Sequence, residues 1–141
     1  MKNSIKLFVS FLVLVSLFGC APEKQEDSYY IKNIIGSWNI SFKSKAGFIS
    51  NRIDTYYEDG SLIQIGSSTY NTSVKEVSVK STWEIKDQTL IRTVQKDKFG
   101  KIPQGYTSKR KIYSIDDKVM KLYHKDGGIE TITRISMIDE K

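Results

Sequence analysis

The chain of 141 residues carries 22 Lys plus Arg against 16 Asp plus Glu, a formal charge of +6, with 39% hydrophobic and 11% aromatic residues. That is enough for one small domain and excludes a full TIM barrel or a two-domain nucleotide enzyme. A single Cys and a single His exclude an intrachain disulfide framework and leave no thiolate and imidazole cluster for zinc, so neither metal nor other cofactor is expected.

In chain order, Lys2 and Lys6 flank the start of an apolar run from Leu7 to Phe18, broken only by Ser10 and Ser16. The run suits a signal-peptide core and is too short to span a hydrocarbon layer of roughly 30 Å. Leu17, Phe18, Gly19 and Cys20 follow and resemble a bacterial lipobox, the cleavage site of lipoproteins. The resemblance implies that residues 1–19 are a signal peptide and that acylated Cys20, the new N-terminus, is held in membrane lipid, where each buried methylene contributes about 0.8 kcal/mol. It also implies a lipid-anchored place in the bacterial cell envelope, on the outer membrane facing the periplasm in an organism with two membranes. An ordinary secreted protein with a stray Cys is the alternative. Cleavage removes two lysines and no acid. The remaining basic residues are spread out: Lys109, Arg110 and Lys111 form the one tight triplet, and a strand sends its middle member to the opposite face. No nucleic-acid partner is expected.

Residues 20–33 read as the lipidated Cys and a flexible tether, because Ala21 to Ser28 are polar with one Pro. A short helical turn around Tyr29 to Ile35 is available to plug one end of the domain that follows, residues 34–141. There the pattern is short alternating segments. Gly36 to Ser44 sets Trp38, Ile40 and Phe42 against polar neighbours. Arg52 to Glu58 ends at Asp59 and Gly60, a pair suited to a hairpin turn, and Ser61 to Ser67 returns. Val77, Val79, Ser81, Trp83 and Ile85 then share one face, the clearest period of two in the chain. Thr89 to Lys96, Tyr106 to Ile115, Lys118 to His124 and Ile129 to Met137 complete eight strands. Asp97 to Gly105, with two glycines and Pro103, forms a rim loop. The fold class is all-β: a small antiparallel up-and-down barrel of eight strands removes the edges that would pair with neighbours. A two-sheet sandwich competes, and periodicity does not separate the two.

Three local patterns together resemble the lipocalin and fatty-acid-binding type of calyx, in particular the short lipocalin-like domains of bacterial lipoproteins. They are Gly36, Ser37 and Trp38 in IIGSWNI, the strand and turn units TYYEDGSL and STWEIKDQTLI, and Arg134 in ETITRI. The resemblance spans roughly residues 34–138. It implies that Gly36, Trp38 and Arg134 close the barrel, with the Arg134 guanidinium stacked on the Trp38 indole.

If the registers of Trp38 and Val79 point inward, Phe42, Val77, Val79, Trp83 and Ile85 are the candidates to line a cavity for a small hydrophobic ligand; a fully packed interior is the bland alternative. Tyr56 and Tyr57 are adjacent, so at most one faces in, and Tyr70, Tyr106, Tyr113 and Tyr123 are candidates for a cavity mouth. His124 lies in a turn without the partners of a general base. Glu58 and Asp59 point apart, and Gly127 and Gly128 form a turn without phosphate-loop residues. No catalytic residue is expected. Two functions remain: a lipid-anchored lipocalin-like domain binding a small hydrophobic ligand, and an envelope inhibitor, immunity or assembly factor that binds a protein partner on the outside of the barrel.

Overall fold

The computed structural model describes residues 25–43, 47–124 and 127–136. The signal peptide, Cys20 and the first part of the tether lie outside the described residues. Helix α1 (Asp27–Ile34) is followed by β1 (Gly36–Lys43), β2 (Phe48–Tyr56), β3 (Ser61–Tyr70), β4 (Ser73–Lys86), β5 (Thr89–Asp97), β6 (Thr107–Ile115), β7 (Val119–Tyr123) and β8 (Ile129–Ser136). Each strand pairs antiparallel with the next, and β8 returns to β1, so the sheet is a closed barrel in sequence order rather than a sandwich.

The tether boundary requires a correction. Asp27–Ile34 is helical although it falls mostly within the stretch read as flexible. The cause is the pair Tyr30 and Ile34, one helical turn apart and both buried, which turn one face of a polar segment into a plug. The plug is tied down at several points. Both Asp27 carboxylate oxygens accept backbone N–H bonds of 2.8 Å, one from Asp87 and one from Gln88. Those two residues make the tight β4–β5 turn with positive φ, the geometry of a two-residue hairpin. The Tyr29 hydroxyl donates to the Ile115 carbonyl at 3.0 Å.

Three strands run longer than their alternation suggests. β2 begins at Phe48 and the β3–β4 hairpin reaches to Tyr70 and Ser73. Gly66 on β3 permits a close approach to β2, since a Cβ there would run into the Asn51 carbonyl oxygen and the Arg52 Cα. Two irregularities in register matter inside. Between Lys80 and Ser81 the β4–β5 pairing slips by one residue, and between Ile112 and Ser114 the β6–β7 pairing slips again. The second bulge puts Ile112 and Ile115, three apart, both in the core.

The core lies at the end plugged by α1. Trp38, Tyr56, Leu62, Leu90, Ile112 and Met120 are fully buried there, together with Ile34 of the helix.

Candidate ligand-binding site

The plugged end is closed by the residues at the first and last strands. Trp38 pairs across β1–β8 with Arg134, and the guanidinium carbon stands 4.1 Å from the centroid of the indole. Trp38 Nε1 donates to the Ile34 carbonyl at 2.7 Å. Arg134 donates to the carbonyls of Asp117 and Ile35, at 2.7 and 2.6 Å, and to that of Asn33. One cation thereby holds the indole, the C-terminal carbonyls of α1 and the β6–β7 turn, where a positive charge also complements the helix dipole. Burial lowers the Arg134 pKa below its ordinary value, with Asp117 and Asp116 pulling the other way. Gly36 opens β1 beside this contact with φ 123°. These three residues are thus brought together at the plugged end.

Along the barrel axis the interior changes character. On β2, Asp54 is fully buried and faces inward. Its Oδ1 accepts 2.8 Å from Arg52 Nε, and its Oδ2 accepts 3.0 Å from Gln64 Nε2 and 3.3 Å from Arg92 Nη1. Two guanidiniums from β2 and β5 share this carboxylate, which leaves one positive charge in excess. Burial alone would lower the Arg52 pKa, but the attraction of Asp54 outweighs it and holds it above the ordinary value. On the other side of Arg52, Arg110 of β6 donates 2.7 Å to Glu130 of β8.

Two cavities flank Arg52. The first, about 130 Å³, has Gln64, Ser81, Arg92 and Ser108 on its polar side with Arg52, and Val77, Val79, Val94, Ile102 and Tyr106 around the remainder. The second, about 160 Å³, is lined by Phe42, Phe48 and His124 together with Arg52, Arg110 and Glu130. The His124 ring stacks on Phe42 at 5.9 Å, so this imidazole lines the interior rather than the outer surface.

Of the five residues read as ligand-lining, Phe42, Val77 and Val79 border these cavities. Trp83 and Ile85 point inward but belong to the packed end: the Trp83 ring meets Tyr56 edge-on at 5.7 Å and its Nε1 donates to the Tyr57 carbonyl. The reason is their position on β4, which reaches the plugged end at Lys86. Among the tyrosines, Tyr106 borders a cavity, Tyr56 is buried below it, Tyr70 is exposed, and Tyr113 and Tyr123 meet edge-on at 5.5 Å on exposed positions.

Sequence reasoning passed over Arg52, Asp54, Arg92, Arg110 and Glu130. A signal was present: Arg92 stands between Leu90 and Val94, and Asp54 two residues before Tyr56. Once those apolar positions are inside, the charges between them must be inside too. Among the described residues, no group of three or more His, Cys, Asp or Glu stands together to hold a metal, and no helix is long and apolar enough to cross a membrane.

No protein-family model matches the chain, and no curated protein sequence matches it. Among solved structures, a lipocalin-like protein from Bacteroides uniformis matches with a TM-score of 0.52 and 12% identity, over 73% of this chain and 99% of that one. At that identity the likeness is one of fold: the chain is a closed antiparallel barrel of eight strands that resembles a lipocalin fold.

Proposed function

We propose that this chain is a lipid-anchored envelope protein whose lipocalin-like barrel is a non-enzymatic binding module, holding one small molecule in the half of the barrel away from α1. The observation that carries the reading is the pair of cavities around Arg52, each bordered by both charged and apolar side chains. Both are smaller than the roughly 300 Å³ at which drug-sized pockets begin, so the ligand is a small molecule and not a long acyl chain. The apolar share of its contacts falls to Phe42, Val77, Val79 and Val94. Anchoring is supported by the lone Cys20 after Leu17, Phe18 and Gly19 and by the polar residues that follow; it would place the barrel at a bacterial membrane surface.

Native mass spectrometry of protein extracted in mild detergent tests the ligand. A retained non-lipid mass that is lost on denaturation is the expected result, and apoprotein alone, with no saturable response to small-molecule probes, would reject it. For the anchor, Cys20→Ser should abolish labelling by a clickable fatty acid; a labelled variant would remove the anchor from the proposal. A protein partner on the outside has one observation in its favour: Ile53 and Ile65 pair directly across β2–β3 and are 45% and 58% exposed.

A further inference from the structure

The smaller cavity carries a more specific assignment, which rests on the small-molecule reading above and names the chemistry of the ligand. Among the described residues, three buried side-chain polar atoms have no hydrogen-bond partner in the protein: Tyr56 Oη, Ser81 Oγ and Arg92 Nε. Ser81 and Arg92 border the same cavity. They are diagonal neighbours on the inner face, since Ser81 pairs with Val94 and Trp83 with Arg92 across β4–β5. The β4–β5 pairing shifts between Lys80 and Ser81, with Gln95 the extra residue on β5, and such a bulge re-aims the local side chains.

The donors are specific in kind. Arg92 commits Nη1 to Asp54 and lies beside the Tyr56 phenol, while its Nε makes no hydrogen bond within the protein. Ser81 offers a hydroxyl from a residue 4% exposed. Leaving such groups buried without partners is costly, and Asp54 is already occupied by Arg52, Gln64 and Arg92. What fits beside them is an acceptor, and the excess positive charge shared by Arg52 and Arg92 calls for a single negative one. Val79 and Val77 continue the inner face of β4 from Ser81 and, with Ile102, border the same cavity, where they fit a short hydrocarbon. Burial keeps the neighbouring Tyr56 phenol protonated, its pKa pushed up to about 12 against the pull of Arg92, so it adds no competing charge.

We propose that the cavity between Arg92 and Ser81 is a binding site for a short-chain monocarboxylate, whose carboxylate oxygens accept from Arg92 Nε and Ser81 Oγ while its hydrocarbon end lies against Val77 and Val79. The volume admits a chain of a few carbons and excludes a fatty acid.

The test follows the Arg92 Nε–H resonance of the full-length protein in detergent micelles during titration with propionate, with its neutral isostere propionamide, and with chloride. Saturable shifts with propionate, at least tenfold tighter than with propionamide and not reproduced by chloride at equal ionic strength, are expected. Equal saturation by propionamide would overturn the anion assignment and leave a small-molecule site standing. Saturation by neither would overturn both, and an equal chloride effect would reduce the site to charge screening. Ser81→Ala separates binding from folding. It removes a hydroxyl without a partner, so the barrel should be unchanged or slightly more stable, while propionate binding weakens roughly tenfold, as expected for losing a hydrogen bond to a charged group. Unaltered affinity in that variant, or in Arg92→Lys, which keeps the charge but not the Nε edge, would overturn the geometry.

Discussion

The two ends of the barrel are made of the same eight strands and solve opposite problems. At the end plugged by α1, Ile34, Trp38, Tyr56, Leu62, Leu90, Ile112 and Met120 are buried, and Trp38 Nε1 among them donates to a backbone carbonyl. Beyond Asp54 the inward positions include Arg52, Gln64, Arg92, Arg110 and Glu130 beside Phe42, Val77 and Val79, with clefts between them. Apolar side chains of similar volume could fill that space at no loss of stability, because buried ion pairs seldom exceed their desolvation cost. The difference teaches where each kind of information sits: stability is concentrated beside the helix, and the charged half is organised around a space.

The largest effect should come from breaking the plugged end. Trp38→Ala empties a fully buried aromatic site and removes the contact that ties α1 to β1, for a loss of about 3–5 kcal/mol. Arg134→Ala should cost less, since that side chain is partly exposed. Because the two touch at 4.1 Å, the double variant should lose less than the two single losses combined. Urea melts of the four proteins measure this. Strict additivity would show that the stacking carries no energy and that Arg134 acts through the carbonyls of Asn33, Ile35 and Asp117 alone.

How much of this was legible follows the same division. The strand count, the register of Val77 to Ile85 and the Asp59–Gly60 turn were readable, because period two and turn chemistry are local signals. The sequence also suggested the meeting of Trp38 with Arg134, through resemblance and not through spacing. The helix over Asp27–Ile34 was only half visible: two apolar residues in eight make a weak stripe, and it is the barrel mouth that makes them count. Least legible were Arg52, Asp54 and Arg92. Inward charges break the rule that strands alternate apolar-in and polar-out, and nothing in a single strand reveals that its charge will be met by one from another. Periodicity did not separate barrel from sandwich, since closure depends on β8 finding β1, a pairing nearly a hundred residues apart; the barrel was favoured because it leaves no strand edge open.

The charged half is sharpened by Asp54→Asn, which keeps the shape and removes the counter-charge of two arginines. The loss should be about 2–3 kcal/mol, below the 3–5 kcal/mol of a fully buried pair because the Arg52 and Arg92 side chains are 25% and 12% exposed. A joint replacement, Arg52→Met with Asp54→Leu and Arg92→Met, should leave stability near that of the parent while abolishing propionate binding. Thermal melts with and without propionate decide the matter. If the apolar triple variant is as destabilised as Asp54→Asn, the charges serve the fold and the contrast between the two ends disappears.

The smallest effect tests whether the rim of the charged half is held by polar contacts where the other end is held by packing. Asp97 ends β5, and its carboxylate accepts backbone N–H bonds from Phe99, Lys101 and Ile102 at 3.0, 2.8 and 2.9 Å. Ile102 in turn borders the smaller cavity. The Phe99 N–H, with Ile102 and Lys101, lowers the Asp97 pKa below its ordinary value. A carboxylate whose folded pKa is depressed contributes its stability above the unfolded value, about 3.9, and loses it as pH falls through the lower folded value. Asp97→Ala should therefore be less stable than the parent at pH 7 by a small amount, and the two melting curves should converge as the pH falls below the unfolded value, about 3.9, through the lower folded one. A gap that persists unchanged at the acid end would assign the loop to the packing of Ile102. Its closure would show the rim to be fastened by one ionised carboxylate.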